Sequence, residues 1–210
     1  LDDGWIDLDD MGLFTWDDAK IDVRQTILGA SNTFTGIGGD IRGNRSRMGI
    51  EARYLGHGEQ VHDINYTLRH NGVKTQCNIN SNGVLAGKSK KTLRGTIDFV
   101  RGCKGAEGTE HETVLLVDDD VENKSVPVIL CNEDDVAGNH GAAIGHVRPE
   151  QMFYLASRGL SQEAAEQMFV RAMLEQAAID APDQASREGV LRLATMLVDG
   201  FDADFLEEEA

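Results

Sequence analysis

The 210-residue chain is long enough for one domain with a hydrophobic core, since 40% of its residues are hydrophobic and 27% are charged. Its formal net charge of −16 at pH 7 argues against binding to nucleic acid or to an anionic membrane surface, and it favours a neutral or basic protein partner. No apolar run reaches the roughly 18–20 residues needed to cross a bilayer, and no basic-then-apolar leader is present, so we expect a cytoplasmic protein. Because the first residue is Leu1 and not Met, we expect a segment upstream.

The N-terminal part of the chain predicts short β-strands. Residues 1–20 are acidic and contain three aromatic residues, and they are either an extended edge segment or a loose arm. From Ile21 onward, apolar residues recur at every second position, which is typical of half-buried strands. These rows are Met48, Ile50, Ala52 and Tyr54; Ile64, Tyr66 and Leu68; Thr75, Cys77 and Ile79; and Leu93, Ile97 and Phe99. Glycine and asparagine mark the turns between them, and Gly36 to Gly39 predicts another turn. A sandwich, a barrel and a stacked solenoid would all show this pattern.

The three cysteines, Cys77, Cys103 and Cys131, form no CxxC pair, so neither a disulfide framework nor a zinc knuckle is indicated. Free cysteines are among the most buried residues, and we expect these three to act as small hydrophobic side chains in strands.

From Cys131 onward the sequence changes from alternating, strand-like segments to small residues followed by helix signals. Residues 137–143 are small apart from Asn139 and His140, which predicts a loop that displays its polar side chains. Pro149 can begin a helix, expected at about 149–158, and Gly159 can end it. Ser161 can cap a second helix that runs to about Asp180. A third helix is expected at about 184–199, followed by a frayed acidic tail.

The sequence lacks the motifs that are typical of several enzyme classes. The chain has no GxxxxGK[ST] loop, no GxGxxG opening a helix, no GxSxG elbow and no HExxH pair. We therefore expect that the protein is not an enzyme.

The C-terminal motifs carry a family resemblance. The stretch EDDVAGNHGAAIGHV, followed by EQMFYLASRGLSQEAAEQMFVRA, is similar to the C-terminal core of the SufB/SufD family, the scaffold proteins of SUF iron–sulfur cluster assembly. The likeness continues more weakly back to about Leu55. It implies a mainly β fold: a right-handed parallel β-helix over residues 1–148, including the acidic N-terminal arm, and a helical subdomain with a tail over residues 149–210.

The resemblance also implies a site. His140 aligns with the histidine that SufD-type proteins place at the interface with SufB, where an imidazole nitrogen can bind iron or a cluster. Without the resemblance, a lone loop histidine is usually a hydrogen-bonding surface group. Asp134, Asp135, His111 and Glu112 are expected near this interface. The acidic pair is more suited to forming a turn than to sharing a proton, and Glu112 stands near the position of the SufB thiolate, which makes the chain SufD-like.

The partners follow from the same family. The helices are expected to dock a SufC-like ABC-type ATPase, or to pack as a cap on the end of the β-helix, or both. The expected docking residues are Met152, Phe153, Tyr154, Arg158, Gly159 and Phe169. The leading hypothesis is a non-catalytic scaffold that pairs with a SufB-like subunit or with its own copy and binds no permanent cofactor, only a transient iron–sulfur cluster. The alternatives are a β-helix enzyme acting on polysaccharide and a stand-alone metal-binding module.

Overall fold

The computed structural model describes residues 4–198 and 201. Ten strands are followed by three helices. The strands are β1 (Ile6–Thr15), β2 (Lys20–Leu28), β3 (Asn32–Ile41), β4 (Arg47–Gly56), β5 (Val61–His70), β6 (Gln76–Leu85), β7 (Lys90–Phe99), β8 (Ala106–Leu116), β9 (Glu122–Cys131) and β10 (Val136–Gly145). The helices are α1 (Pro149–Ser157), α2 (Gln162–Ile179) and α3 (Gln184–Leu197).

The strands form two parallel sheets, one from the odd-numbered strands and one from the even-numbered strands. Successive strands alternate between the two sheets, so each consecutive pair is one turn of a five-turn solenoid. The predicted parallel β-solenoid is therefore confirmed, and the antiparallel sandwich and barrel are excluded. The turns differ in length: Ile6 lies opposite Asn32, whereas Lys90 lies opposite Glu122. With this irregular spacing, the described turns have no fixed sequence period.

The interior of the solenoid is filled by the predicted alternating rows. Ile50, Tyr54, Ile64, Tyr66 and Leu68 are fully buried, together with most of the apolar side chains that share their sides of β4 to β7. Because side chains alternate across a strand, the intervening residues face outward. The period-two pattern thus identified the core correctly.

Two local expectations have clear outcomes. The segment after Trp5 forms β1 and pairs with β3, so the extended edge segment is the correct alternative for this part of the acidic arm. The expected turn at Gly36 to Gly39 is wrong, because these residues lie within β3. A side chain at Gly39 would collide with Met48 and Leu68, so this glycine permits close packing inside the solenoid.

The helix ends have capping residues, of which the sequence predicted Pro149, Ser161 and Gly159. Pro149 stands in the first turn of α1, the Ser161 hydroxyl accepts a hydrogen bond from the Ala164 N–H (3.1 Å), and the Asp183 carboxylate accepts one from the Ser186 N–H (2.8 Å). Gly159 adopts the positive φ of +89° that lets the chain leave α1.

α2 and α3 pack on the side of the solenoid. An outward-facing row of Leu28, Leu55 and Val84, in register on β2, β4 and β6, forms a second core with residues of both helices. The expectation that these helices cap the end of the β-helix is therefore wrong for α2 and α3. Phe201, expected in a frayed tail, is buried in this core. The rest of that tail, residues 202–210, lies outside the described residues.

Among residues 4–198 and 201, no helix has both the length and the apolar character required to span a membrane.

Candidate functional site

The last turn of the solenoid, β9 and β10, has one open side. β9 stands at one edge of its sheet, paired with β7, and β10 stands at one edge of the other, paired with β8. No strand of the described chain continues the stack beyond them. Ile144, which faces the interior, is consequently 43% exposed, and Val126 and Leu130 on the outer face of β9 are 45% and 46% exposed. Open strand edges with apolar side chains are typical of surfaces that pair with another chain.

His140 lies within β10, so the expectation of a loop between residues 137 and 143 is wrong. The small residues there serve close packing: a Cβ on Gly138 would stand only 3.0 Å from the Phe99 ring and 3.2 Å from Ile129. Because Gly138 faces the interior, His140 two residues later has the same direction. His140 lies opposite Glu110 of β8 in the strand register and is exposed, as expected for an inward-facing residue of an uncovered turn.

Beneath the last turn, the interior contains a buried ion pair. The Lys91 ammonium donates a hydrogen bond to the Glu112 carboxylate, and their side chains are 0% and 4% exposed. Lys91 also donates to the Ser125 hydroxyl (3.3 Å), and the Tyr54 hydroxyl donates to Glu112 (3.5 Å). Burial lowers the pKa of Lys91, while Glu112 opposes that shift, and burial raises the pKa of Tyr54 well above its usual value.

Glu110 is a second buried carboxylate in this region. It is 4% exposed, and burial raises its pKa, with the neighbouring Glu112 adding to the shift. His140 and Lys91 act in the opposite direction on that pKa. Sequence reasoning missed both Lys91 and Glu110. The only available signal was the inward parity that they share with the rows of apolar residues around them.

His111 and Glu112 do not lie together. His111 is exposed, and a Cβ on Gly141 would be 3.2 Å from its ring, so it covers the outer face of β10. Glu112 points into the solenoid. Their adjacency in sequence places them on opposite faces of β8.

Asp134 and Asp135 lie in the turn between β9 and β10, in agreement with the turn-forming alternative, and both are exposed. The carboxylate that organises this turn is Glu133, which accepts hydrogen bonds from the Gly102 N–H (2.8 Å) and the Asp134 N–H (3.2 Å). The bond from Gly102 is the main cause of the lowered pKa of Glu133.

The cysteines differ in burial. Cys77 and Cys103 are buried, as expected, and burial raises the pKa of Cys77 to about 12. Cys131, at the end of β9, is exposed, so the expectation of burial is wrong there. It belongs to the uncovered last turn.

The expected ATPase-docking residues fall into two sets. Phe153 and Tyr154 are 78% and 57% exposed, and the Arg158 guanidinium lies 5.3 Å from the centre of the Tyr154 ring. A shallow groove between α1 and α2 is lined by Tyr154, Leu155, Met168 and Phe169 together with Glu150 and Gln151. Met152 lines a different cavity beside Val117 and His146, and Gly159 ends α1.

In the described part of the chain, no group of three or more histidine, cysteine, aspartate or glutamate residues is arranged to hold a metal ion. His140 therefore stands as a single displayed donor with Glu110 behind it.

The chain is similar to proteins of iron–sulfur cluster assembly. A family model described as the SufBD core domain of SUF system FeS cluster assembly matches residues 2–173. The chain belongs to the SufBD core family. Similar relatives include the iron–sulfur cluster assembly protein SufD of Bacillus subtilis, 26% identical over 75% of this chain and 36% of the relative. SufBD family proteins of Mycobacterium leprae and Mycobacterium tuberculosis are 30% and 32% identical over 72% and 68% of this chain, and over 17% of each relative. This SufBD core chain thus spans about a third or less of the length of these relatives.

Proposed function

We propose that this SufBD core chain is a non-catalytic scaffold for iron–sulfur cluster assembly. In this proposal, its open last turn pairs with a SufB-like subunit or a second copy, and His140 offers a nitrogen ligand to the cluster as it forms. The observation that carries the proposal is the position of His140, which faces the interior of the solenoid at its last turn, where no described strand covers that interior beyond β9 and β10.

Strand pairing is the mode of association that the last turn favours. β9 and β10 are each ten residues long and present an open edge. A second chain that adds a strand at each edge would satisfy the backbone groups there and cover Val126, Leu130 and Ile144. The same docking would enclose His140 between two chains.

Imidazole suits this chemistry because its nitrogen lone pair binds iron. A cluster bound at His140 would take further ligands from the second subunit. The cluster is cargo in this proposal: it is built on the scaffold and then leaves.

The α1–α2 groove is the surface that we propose for a SufC-like ATPase. Tyr154 lines that groove, its neighbour Phe153 is 78% exposed on α1, and the Arg158 guanidinium lies over the Tyr154 ring. Aromatic residues and arginine are enriched in interface cores. Substitution of Phe153 by Glu should weaken ATPase binding at least tenfold. Met196→Glu is the matched control, because Met196 is 67% exposed on α3, away from the groove.

The cluster role is tested by anaerobic co-purification with SufB-like and SufC-like partners. His140→Ala should lower the iron and acid-labile sulfide retained by the complex, because an open coordination position must be filled by water or buffer. His146→Ala is the control, since His146 is a nearby histidine whose side chain is 48% exposed and directed to Asp119. Circular dichroism should show both variants folded. Cluster content at the wild-type level in His140→Ala would overturn the ligand role.

A further inference from the structure

The charges inside the solenoid below His140 do not balance. Lys91 is neutralised by Glu112, to which it is directly bonded, and both side chains are almost completely buried. Glu110 lies two residues before Glu112 on β8 and faces the same interior. This part of the interior therefore contains one cationic side chain and two carboxyl side chains.

Glu110 lacks the partners that a buried carboxylate normally has. Its Oε2 atom is shielded from solvent and forms no hydrogen bond within the described structure. The carboxylate extends across the interior to β7, where a side chain at Gly95 would collide with it. An isolated carboxylate in such surroundings costs several kcal/mol, so it requires a proton or a cation.

The side from which a cation could arrive is the open turn. His140 lies directly opposite Glu110 in the register of β10 and β8, on the inward side of its strand. Within residues 4–198 and 201, no strand covers His140, and no other histidine lies on β8 or β10 facing inward. The two side chains therefore present one nitrogen and one oxygen donor at the mouth of the solenoid.

We propose that Glu110 is a second ligand, beside His140, for a divalent iron ion that enters the last turn of the solenoid. The inference rests on the proposed role of His140 and adds a named oxygen donor to it. Imidazole and carboxylate are ligands that iron(II) accepts together, and a divalent cation neutralises the carboxylate that Lys91 leaves unpaired. Glu112 stays with Lys91 and takes no part in binding the ion.

The experiment measures binding of Co²⁺, a spectroscopic probe for iron(II), to the full chain under anaerobic conditions. Visible absorption and the metal-dependent shift in Tm are recorded for the wild type, Glu110→Gln, His140→Ala and Glu107→Gln. Glu107 is the matched control because it lies on the same strand but is exposed on the outer face. Glu110→Gln and His140→Ala should each lower Co²⁺ affinity at least tenfold, and Glu107→Gln should leave it within twofold.

A second readout separates a ligand from a structural carboxylate. Without metal, Glu110→Gln should have a Tm equal to or above that of the wild type, because a neutral amide replaces the unpaired carboxylate. With Co²⁺, the stabilisation seen in the wild type should be lost, since only a folded state that binds the ion gains stability from it. If Glu110→Gln does not fold, Gly95→Ala displaces the carboxylate instead and should lower the affinity in the same way.

The outcomes distinguish the two levels of the proposal. If His140→Ala loses Co²⁺ binding and a folded Glu110→Gln or Gly95→Ala variant retains it, Glu110 only holds a proton and this inference is overturned, while the role of His140 stands. If the wild-type chain binds no Co²⁺, this inference is overturned, while the role of His140 is still decided by the iron and sulfide content of the complex. Equal losses in Glu110→Gln and Glu107→Gln would indicate a general effect of charge and would also overturn it.

Discussion

The middle turns of the solenoid and its last turn are built from the same strand pattern but differ in what covers them. In β5, the inward residues Ile64, Tyr66 and Leu68 are fully buried, because strands of the same sheet lie on both sides. In β10, Ile144 faces the same way and is 43% exposed, because β8 is its only neighbour among the described strands of the sheet. Period-two alternation therefore determines the direction of a side chain, and stacking determines its burial. The groups available for chemistry lie where the stack ends.

The largest expected effect is the pH dependence of stability that buried histidines give to the covered turns. In the covered turns, burial lowers the pKa of His62 and of His70 from 6.5 to about 4. The unfolded chain therefore binds more protons than the folded chain between these values, and stability should be lost as pH falls from about 6.5 towards 4. At about 1.4 kcal/mol per pKa unit, each histidine contributes about 3 kcal/mol to this loss.

Urea unfolding at several pH values measures this loss. His62→Gln should remove about half of the pH dependence that the two buried histidines cause. The raised pKa of Glu110 works in the opposite direction, since its protonation favours the folded state as pH falls, and Glu110→Gln should steepen the loss. Stability that stays constant between pH 7 and pH 4 in Glu110→Gln would contradict the prediction.

Two adjacent lysines of β7 provide the next comparison. Lys91 is buried beside Glu112, whereas Lys90 pairs with Glu122 on the surface, where both side chains are about half exposed. Lys91→Ala leaves Glu112 buried without its cation and should lower the free energy of unfolding by about 3–5 kcal/mol. Lys90→Ala should have almost no effect, because solvent screens the pair. Equal losses for the two variants would show that the interior pair is not more strongly coupled than the surface pair.

Apolar truncation compares the covered and open turns directly. Ile64→Ala should cost about 2–5 kcal/mol, because it leaves a cavity among fully packed neighbours. Ile144→Ala should cost less than about 1 kcal/mol in the isolated chain, since much of that side chain already contacts water. Denaturant unfolding of both variants measures the difference. A large loss for Ile144→Ala would mean that the last turn is covered in solution.

The sequence predicted the core well, because the alternation of apolar and polar residues shows which side chains of a strand face inward, whichever strands it pairs with. The rows on β4 to β7 could be identified without knowing which strands pair, and the family resemblance selected the solenoid. Glycine was the main source of error: Gly39 and Gly138 indicated turns, but each lies within a strand where a neighbouring side chain passes over it. A glycine in the sequence shows that a side chain is absent at that position. It does not show whether the position needs a turn or needs space for a neighbouring side chain.

The interior charges could not be predicted for a related reason. Lys91 lies in a run, Lys88 to Lys91, that has the composition of a solvated surface. Its burial follows only from the pairing of β7 with β5 and β9 and from the proximity of Glu112 on β8, 21 residues away. Such contacts depend on turn length, which varies along this solenoid.

The smallest expected effect on stability is the most informative about association. Val126, on the outer face of β9, is 45% exposed, and Val73, in the turn between β5 and β6, is 39% exposed. Substitution of either by Lys should change the free energy of unfolding by no more than about 0.5 kcal/mol, because neither side chain is buried in the isolated chain.

A lysine on an edge strand, however, opposes pairing with another strand, since the charge would be enclosed by the incoming chain. Sedimentation velocity with a SufB-like subunit, and with the chain alone, should therefore show weaker association for Val126→Lys and unchanged association for Val73→Lys. If both variants associate like the wild type, the edge of β9 is not the pairing surface; if both are weakened equally, charge alone is responsible and the open last turn loses its special role.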